Sequence, residues 1–274
     1  MSYHVKRRIF SGVVCEQELY SVSSNRRRMN RDSIPRIRFQ TEAEREKHNA
    51  GISRRRFIQL VNANFSHTSY YTTLTFDNEH EVYTFQDARR IRDNYVRRLK
   101  YANPDAVICI VMGRGKSTAR IHFHLISEGV DPDDLIFKWP YGDVVECKRL
   151  REHNYYNGID YGQDYTALAN YLWNHWTEEQ GGHRYKFTRN AKKPVAETPT
   201  EPALLYSLEH PPRPPKGYVL VEAWQTEYGY THFKYVKIPP RDPKQGDRGD
   251  LLRTPCKYVK FWNEEGYGGN KITL

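Results

Sequence analysis

In the segment Arg120-Ile121-His122-Phe123-His124-Leu125-Ile126, polar residues at 120, 122 and 124 alternate with apolar residues at 121, 123 and 125. Alternation over this length predicts a half-buried β-strand, in which side chains two residues apart point to the same face. His122 and His124 are therefore expected side by side on one face, while the apolar residues between them bury the other. Two imidazoles so placed can share one metal ion. The alternative is a pair of ordinary solvent-facing histidines on a half-exposed strand.

Further elements surround this strand in the sequence. Runs of β-branched, aromatic or apolar residues predict strands at 70–76, 107–112, 144–147, 218–223 and 230–238. Helical spacing of apolar residues predicts helices at 41–65, 85–100 and 164–176. This order of elements favours an α+β domain with a central antiparallel sheet and flanking helices.

Local signals mark the ends of several elements. The stretch 41–44 has the form of a capping box at the start of the first helix, and Gly51 is expected to divide that helix in two. Asp164 is the expected N-cap of the last helix. A basic turn at 113–117 leads into the histidine strand, and an acidic loop follows it at 131–134.

The chain has 274 residues, which suits one large domain or one domain with an appendage. Residues 1–54 are predicted to be a basic N-terminal extension ending in a helix, and 55–194 to be the core. Residues 195–274 are predicted to be a linker rich in Pro and Glu, followed by a hairpin around 227–229 that packs on the core.

Composition points to the kind of partner. The formal net charge is +10, aromatic residues make up 14% of the chain, and 21 of them are tyrosines. Cations suit phosphates and rings suit unstacked bases, so a nucleic-acid partner is favoured over an ordinary basic protein. The cysteines at 15, 109, 147 and 256 form no C-x-x-C pair, and no apolar run approaches membrane-spanning length. We therefore expect a soluble protein in a reducing compartment, with no membrane partner.

The helix at 164–176 carries a second set of reactive groups. Tyr171 lies just off its apolar stripe, and His175 is one turn further on, so their side chains can meet. If this helix packs beside the histidine strand, a tyrosine hydroxyl faces a metal ion. A nucleophilic hydroxyl and a metal ion that polarises the phosphate are the groups that phosphoryl transfer requires. The alternative for Tyr171 is a half-buried packing tyrosine.

Together these stretches resemble the HUH endonucleases, specifically the rolling-circle replication initiators of phages and plasmids. Tyr71–Phe76 is similar to their first motif, Arg120–Leu125 to the second, and Leu168–Leu172 to the third, which carries a catalytic tyrosine. Two further stretches, Trp139–Gly142 and Phe187–Pro194, resemble the phage and prophage branch. The likeness covers roughly residues 55–240, and the order of the motifs makes it specific.

The resemblance implies a fold, a reaction and a location. The fold would be the HUH form of an RRM- or ferredoxin-like sheet. Tyr171 would attack a phosphate of single-stranded DNA or of an origin hairpin and keep the 5′ end as phosphotyrosine, while His122 and His124 would hold Mg²⁺ or Mn²⁺. The free 3′-OH would prime replication by the host machinery, with a helicase in trans, in the cytoplasm of a bacterial host.

The sequence departs from this family at two positions. Asn174 stands where relatives usually carry a lysine three residues after the tyrosine, and Met112 stands near the place of a ligating glutamate. The third metal ligand is therefore open among His175, Asp77 and Glu79. Tyr165 precedes Tyr171 by six residues, which is the wrong spacing for two hydroxyls on one helix face, so a single-tyrosine enzyme is favoured.

Seven cations are the expected contacts to the DNA backbone: Arg114, Lys116, Arg120, Lys186, Arg189, Lys192 and Lys193. Two other functions remain open. A non-catalytic module could bind single strands by stacking on aromatic side chains. A transposase or relaxase of the same superfamily would use the same cleavage reaction in a different biological process.

Overall fold

The computed structural model describes residues 2–23, 41–115, 120–156, 158–175, 183–202, 206–226, 230–237, 258–260 and 271–273. The helices, numbered in chain order, are α1 (Glu42–Asn64), α2 (Phe85–Ala102), α3 (Pro132–Phe137) and α4 (Thr166–Trp173). The strands are β1 (Ser2–Ser11), β2 (Val14–Ser23), β3 (Tyr70–Thr75), β4 (Val107–Arg114), β5 (Ile121–Glu128), β6 (Val144–Arg149), β7 (Tyr155–Tyr156), β8 (Ile159–Asp160), β9 (Tyr185–Phe187), β10 (Val195–Ala196), β11 (Tyr218–Gln225), β12 (Thr231–Lys237), β13 (Tyr258–Lys260) and β14 (Lys271–Thr273).

These elements form two compact units, neither of which is one continuous stretch of chain. The histidine unit comprises Gly51–Glu152 and Tyr165–Lys193. The hairpin unit comprises Met1–Ala50, His153–Asp164 and Pro194–Leu274. The predicted division into 1–54, 55–194 and 195–274 stays a prediction. Among the helices that the structure describes, none has the length and apolar character needed to cross a membrane.

The histidine unit is built on a five-stranded antiparallel sheet in the order β6-β3-β5-β4-β9. The predicted α+β class with a central antiparallel sheet is therefore confirmed. Its middle strand, β5, carries the alternating histidine segment. A central strand is held by hydrogen bonds on both sides, so side chains on its faces have fixed positions.

Helices cover both faces of this sheet. On one face, α2 and α3 pack against Ile121, Phe123 and Leu125 of β5 in one buried cluster. On the other face, α1 and α4 pack against Ile126 and residues of β4 in a second cluster. Fully buried side chains of this size each contribute roughly 1.5–3 kcal/mol, so burial on both faces fixes which way the histidines point.

Local bonds position the helix that carries Tyr171. At the start of α4, the Tyr165 backbone N–H donates to the Asn62 side chain of α1 at 2.8 Å. One turn on, the Arg54 guanidinium donates to the Asn170 side chain, also at 2.8 Å. These two bonds and the apolar contacts of Ala169 and Leu172 fix α4 against α1.

The Trp139–Gly142 stretch supports the end of β3. Trp139 Nε1 donates to the Thr75 carbonyl at 3.0 Å, and the Asp77 backbone N–H donates to the Tyr141 carbonyl at 3.0 Å. Gly142 has φ +145°, and a Cβ there would meet the backbone of Thr75 and Asp77. This stretch therefore has a structural role, because only glycine allows so close an approach.

The hairpin unit contains a seven-stranded sheet in the order β10-β1-β2-β12-β11-β13-β14. Its core lies around Phe233 and Tyr235 of β12. Strands β1 and β2 lie in the basic, poorly periodic N-terminal stretch, where no strand was predicted. In the structure Arg7 faces Glu18 across the strand pair, with Nη2 2.6 Å from the carboxylate. This cross-strand pairing makes a basic strand possible.

Several local predictions are corrected. Helix α1 is continuous through Gly51, and its predicted capping box is confirmed, because Thr41 Oγ1 accepts the Glu44 backbone N–H at 3.1 Å. Residues 113 and 114 continue β4 and are not part of a turn. The predicted acidic loop is the N-cap and first turn of α3. The 227–229 hairpin tip lies outside the described residues.

Asp164 is not the N-cap of α4. Tyr165 occupies that position, and no side chain caps the helix there. Instead, Asp164 accepts a hydrogen bond of 2.5 Å from Lys234 Nζ, and both side chains are buried. Burial pulls the pKa of Lys234 down, but the nearby carboxylates of Asp164, Glu222 and Glu16 outweigh burial and raise that pKa above its usual value.

Asp164→Asn is expected to lower the free energy of unfolding by about 3 kcal/mol, because it leaves a buried ammonium without its main counterion. Lys234→Met should destabilise by a similar amount, since it leaves the buried Asp164 carboxylate without its counterion. The loss of unfolding free energy in the double variant should be smaller than the sum of the losses in the two single variants. Urea unfolding of the four proteins measures this coupling, and strictly additive effects would contradict it.

Candidate active site

His122 and His124 lie on the same face of β5, as the alternation of the segment predicts. Their Nε2 atoms are 3.1 Å apart. Two nitrogens that bind one ion at adjacent corners of an octahedron are separated by about 3 Å, given bond lengths near 2.1 Å. The pair therefore has the spacing of two ligands to a common metal ion.

His175 completes a group of three imidazoles. It follows the C-terminal end of α4, and its ring centroid is 4.2 Å from that of His124 and 5.8 Å from that of His122. One nitrogen from each of the three rings lies within 4.8 Å of the others. Of the three proposed third ligands, His175 is the one that the structure brings to the pair.

The chemistry of the donors decides which ions fit. Three imidazoles form a nitrogen site, which binds first-row transition ions, whereas Mg²⁺ prefers oxygen ligands. Ligating histidines must also be neutral. Burial, followed by the charges of His175 and His122, lowers the pKa of His124 to about 3, and burial lowers the pKa of His122. The residues therefore fit Mn²⁺ better than Mg²⁺.

The lowered pKa of His124 has a consequence for stability without metal. An unfolded histidine has a pKa near 6.5, so between pH 6.5 and 3 the unfolded chain binds one proton more than the folded chain. In EDTA, the free energy of unfolding should therefore fall as the pH falls from 7 to 5, with a slope of at most about 1.4 kcal/mol per pH unit from this residue. His124→Gln should flatten that dependence. Urea unfolding at both pH values measures it, and identical slopes would contradict the assignment.

Two residues of the neighbouring strand β3 fix the orientation of the His124 ring. The Tyr71 hydroxyl lies 2.7 Å from His124 Nδ1, and the two rings are stacked at 5.9 Å. Thr73 Oγ1 donates to the Tyr71 hydroxyl at 3.3 Å. With Nδ1 engaged by Tyr71, Nε2 is the nitrogen that faces His122. Such outer contacts orient ligating histidines in metal sites.

Tyr171 lies beside the three imidazoles. Its ring makes edge contacts with His175 at 4.5 Å and with His124 at 5.6 Å between centroids. Its side chain is 49% exposed, so a substrate in solution can reach it. Burial is the main cause that raises the pKa of Tyr71, and the nearby Tyr171 raises it further. Tyr71 therefore stays protonated, and its hydroxyl contacts the His124 ring.

Gly113 provides the space for His122. The two residues face each other across the β4–β5 pair, and a Cβ on Gly113 would lie 2.5 Å from His122 Nε2. The neighbouring Met112 is buried in the cluster on the opposite face of the sheet. At this position strand β4 therefore provides space for the His122 ring and does not provide a third metal ligand.

Gly113→Ala is expected to move the His122 imidazole out of the group while the fold is retained, because the clash is with a side chain that can rotate. We expect Mn²⁺ affinity to fall by about 10-fold or more, since even loss of an outer contact to a ligand has an effect of that size. Calorimetric titration with Mn²⁺ measures this, with Gly51→Ala as the control, since a Cβ at Gly51 meets nothing within 4 Å. Unchanged affinity would show that His122 needs no such space.

The other predicted ligands lie apart from the three imidazoles. The Asp77 carboxylate accepts hydrogen bonds from the backbone N–H groups of Glu79 and His80 and lies 2.8 Å from His80 Nδ1. It lines a cleft of about 400 Å³ that His122 and Arg120 also line. Neither Asp77 nor Glu79 belongs to the imidazole group. The structure therefore places Asp77 at the edge of the site.

The remaining helix residues have defined places. Tyr165 is buried, and its hydroxyl donates to the Arg151 carbonyl at 2.9 Å. Asn174 is exposed at the C-cap of α4. No lysine therefore stands at the family's usual position, and Tyr165 does not offer a second reactive hydroxyl.

The predicted DNA-contacting cations fall into different environments. Arg189, Lys192 and Lys193 are exposed near one another in the chain after β9. Arg120 pairs with Glu81 at 3.1 Å and Lys186 with Asp93 at 2.8 Å. Arg114 stacks on the Phe85 ring at 4.7 Å. Lys116 lies outside the described residues.

Three residues of the site were missed as functional by sequence reasoning: Tyr71, Thr73 and Gly113. Strand alternation could have placed Tyr71 and Thr73 on one face of β3. Their position beside His124 depends on the register between strands, in which Thr73 pairs with His124. The sequence of one strand carries no such information.

Comparisons of the chain with protein-family models, with curated proteins and with solved structures found no match.

Proposed function

We propose that this protein is a metal-dependent endonuclease that nicks and rejoins single-stranded DNA through a 5′-phosphotyrosine, as rolling-circle replication initiators of the HUH superfamily do. The observation that supports the proposal best is the contact of the exposed Tyr171 ring with His124 and His175, two members of the three-imidazole group. The proposed substrate is an origin strand or hairpin, and the proposed ion is Mn²⁺ or Mg²⁺.

In the proposed reaction, the Tyr171 oxygen forms a bond to phosphorus while the bond from phosphorus to the 3′ oxygen breaks. The tyrosine proton is released and the departing 3′ oxygen takes up a proton, so charge is balanced overall. A divalent ion, when bound, polarises the phosphate and offsets the charge that develops. Rejoining is the reverse attack by a 3′-OH.

The protein's own residues would orient these groups. His122, His124 and His175 would hold the ion, and Tyr71 would fix the His124 ring through Nδ1. The edge contacts of the Tyr171 ring with His124 and His175 would hold the nucleophile near the imidazoles before DNA binds. Because its pKa is raised, Tyr71 keeps its proton and is a poor candidate for the general base. Its proposed role is therefore to position the His124 ring.

A non-catalytic single-strand binding module is the second proposal. The observation that favours it is the exposed Asn174 at the position where relatives carry lysine. In that case the three imidazoles could still bind a metal ion, but no tyrosine adduct would form.

The test uses a pool of single-stranded oligonucleotides with a random central region, because with such a pool the sequence of the origin need not be known. One half of the pool is labelled at the 3′ end and the other at the 5′ end. With Mn²⁺, the 3′ label should become attached to the protein on a denaturing gel, and the 5′ label should appear on a released fragment. EDTA should abolish both products. Binding of the pool without any adduct would favour the non-catalytic module.

A further inference from the structure

A groove between α2 and α3 lies on the other side of the sheet from the imidazoles. Both helices pack on the apolar face of β5, whereas His122 and His124 lie on the opposite face. The groove has a volume of about 770 Å³ and is lined by Arg97, Arg98, Tyr101, Phe137 and Lys138 among others. It is therefore separate from the candidate active site.

Two aromatic rings at this groove are exposed to solvent. The side chains of Tyr101 and Phe137 are 91% and 81% exposed. Single exposed aromatic residues are ordinary, but two rings that line one groove expose apolar surface together. Rings in this position offer flat faces on which unpaired bases can stack.

Cations line the same groove as the two rings. Arg98 lies over the Tyr141 ring at 5.7 Å, and Arg97 is bonded only to the neutral Asn94 side chain among the contacts described for it. Lys138 pairs with Asp134 at 3.0 Å, which leaves the two arginine charges without a neutralising acid in the groove lining. The groove therefore has a net positive charge.

We propose that this groove binds single-stranded nucleic acid, with bases stacked on Tyr101 and Phe137 and phosphates held by Arg97 and Arg98. Aromatic rings interleaved with arginines are typical of single-strand binding surfaces. The proposal does not depend on cleavage, since the groove and the imidazoles occupy opposite faces of the sheet.

The test is fluorescence anisotropy with a labelled oligothymidine of about 30 nucleotides, in EDTA so that no cleavage occurs. Tyr101→Ala and Phe137→Ala should each weaken binding by about 5-fold or more, since stacking of one base contributes on the order of 1–3 kcal/mol. The control is Tyr83→Ala, which removes a ring that is 76% exposed outside this groove, and it should leave binding unchanged. Arg97→Ala should reduce the slope of log affinity against log salt by about 0.7.

A second measurement locates the strand directly. An oligonucleotide carrying 5-iodouracil should crosslink on irradiation to Tyr101 or Phe137, as mapped by mass spectrometry. The double variant Tyr101→Ala/Phe137→Ala should keep adduct formation at saturating DNA if the proposed nuclease activity exists, so the two proposals can fail separately. If the double variant binds the oligonucleotide as tightly as the original protein, the groove proposal is wrong, and a protein partner becomes the better occupant.

Discussion

Tyr171→Phe is expected to reduce formation of the covalent protein–DNA adduct by at least about 10³-fold, because the substitution removes the attacking oxygen. The ring itself would remain, with its edge contacts to His124 and His175. The fold and the metal site should therefore be retained. The measurement is the rate of adduct formation with 3′-labelled DNA and Mn²⁺, with DNA binding in EDTA as a check.

Two other tyrosines serve for comparison, since each substitution to Phe removes a single hydroxyl in the same unit; Tyr165→Phe is the control. Tyr165→Phe removes a buried hydroxyl that donates to the Arg151 carbonyl, so it should cost about 1 kcal/mol of stability and leave the adduct rate unchanged. Tyr71→Phe should slow adduct formation by about 10- to 100-fold, since outer contacts to a metal ligand have effects of that size. An adduct that survives Tyr171→Phe at the original rate would falsify the assignment of the nucleophile.

His124→Ala is expected to weaken Mn²⁺ binding by more than 100-fold. Removal of an outer contact to a ligand already lowers affinity by about 10- to 100-fold, and loss of the ligand itself should exceed that. His124 is the central member of the group, with its ring contacting those of His122, His175 and Tyr171. Calorimetric titration of the metal-free protein measures the affinity.

A thermal readout checks the same prediction without activity. An ion that binds only the folded state stabilises it, so Mn²⁺ should raise the midpoint of thermal unfolding and EDTA should remove that gain. The gain should be absent in His124→Ala. His80→Ala is the control, because this histidine contacts Asp77 outside the imidazole group.

The same titration decides the third ligand. His175→Ala should weaken binding strongly, whereas Asp77→Asn should change it little, because the Asp77 carboxylate is engaged by the 79–80 backbone and His80. The opposite ranking would move the third ligand to Asp77.

The central strand and its flanking helices could be predicted because their signals are local. Alternation placed His122 and His124 on one face, and the capping box at Thr41 marked the start of α1. One helical turn between Tyr171 and His175 predicted their contact. Each of these predictions depends only on residues close in sequence, where backbone geometry fixes which side chains are neighbours.

What could not be predicted depends on contacts between distant segments. The place of Tyr71 behind His124 follows from strand register, and the need for Gly113 follows from the approach of the His122 ring. The N-terminal strands were missed because the partner that neutralises Arg7 lies eleven residues away, on β2. Asp164 was taken for a helix cap because its buried partner, Lys234, is 70 residues distant in the sequence.

The chain passes back and forth between the two units, and this limits which segments of the gene can be exchanged by recombination without dividing a unit. The chain crosses from one unit to the other at four peptide bonds, after residues 50, 152, 164 and 193. A crossover at any single point in the gene would therefore split at least one unit. We expect the two units to be inherited together, unlike domains that follow one another along a chain and can be shuffled as whole modules.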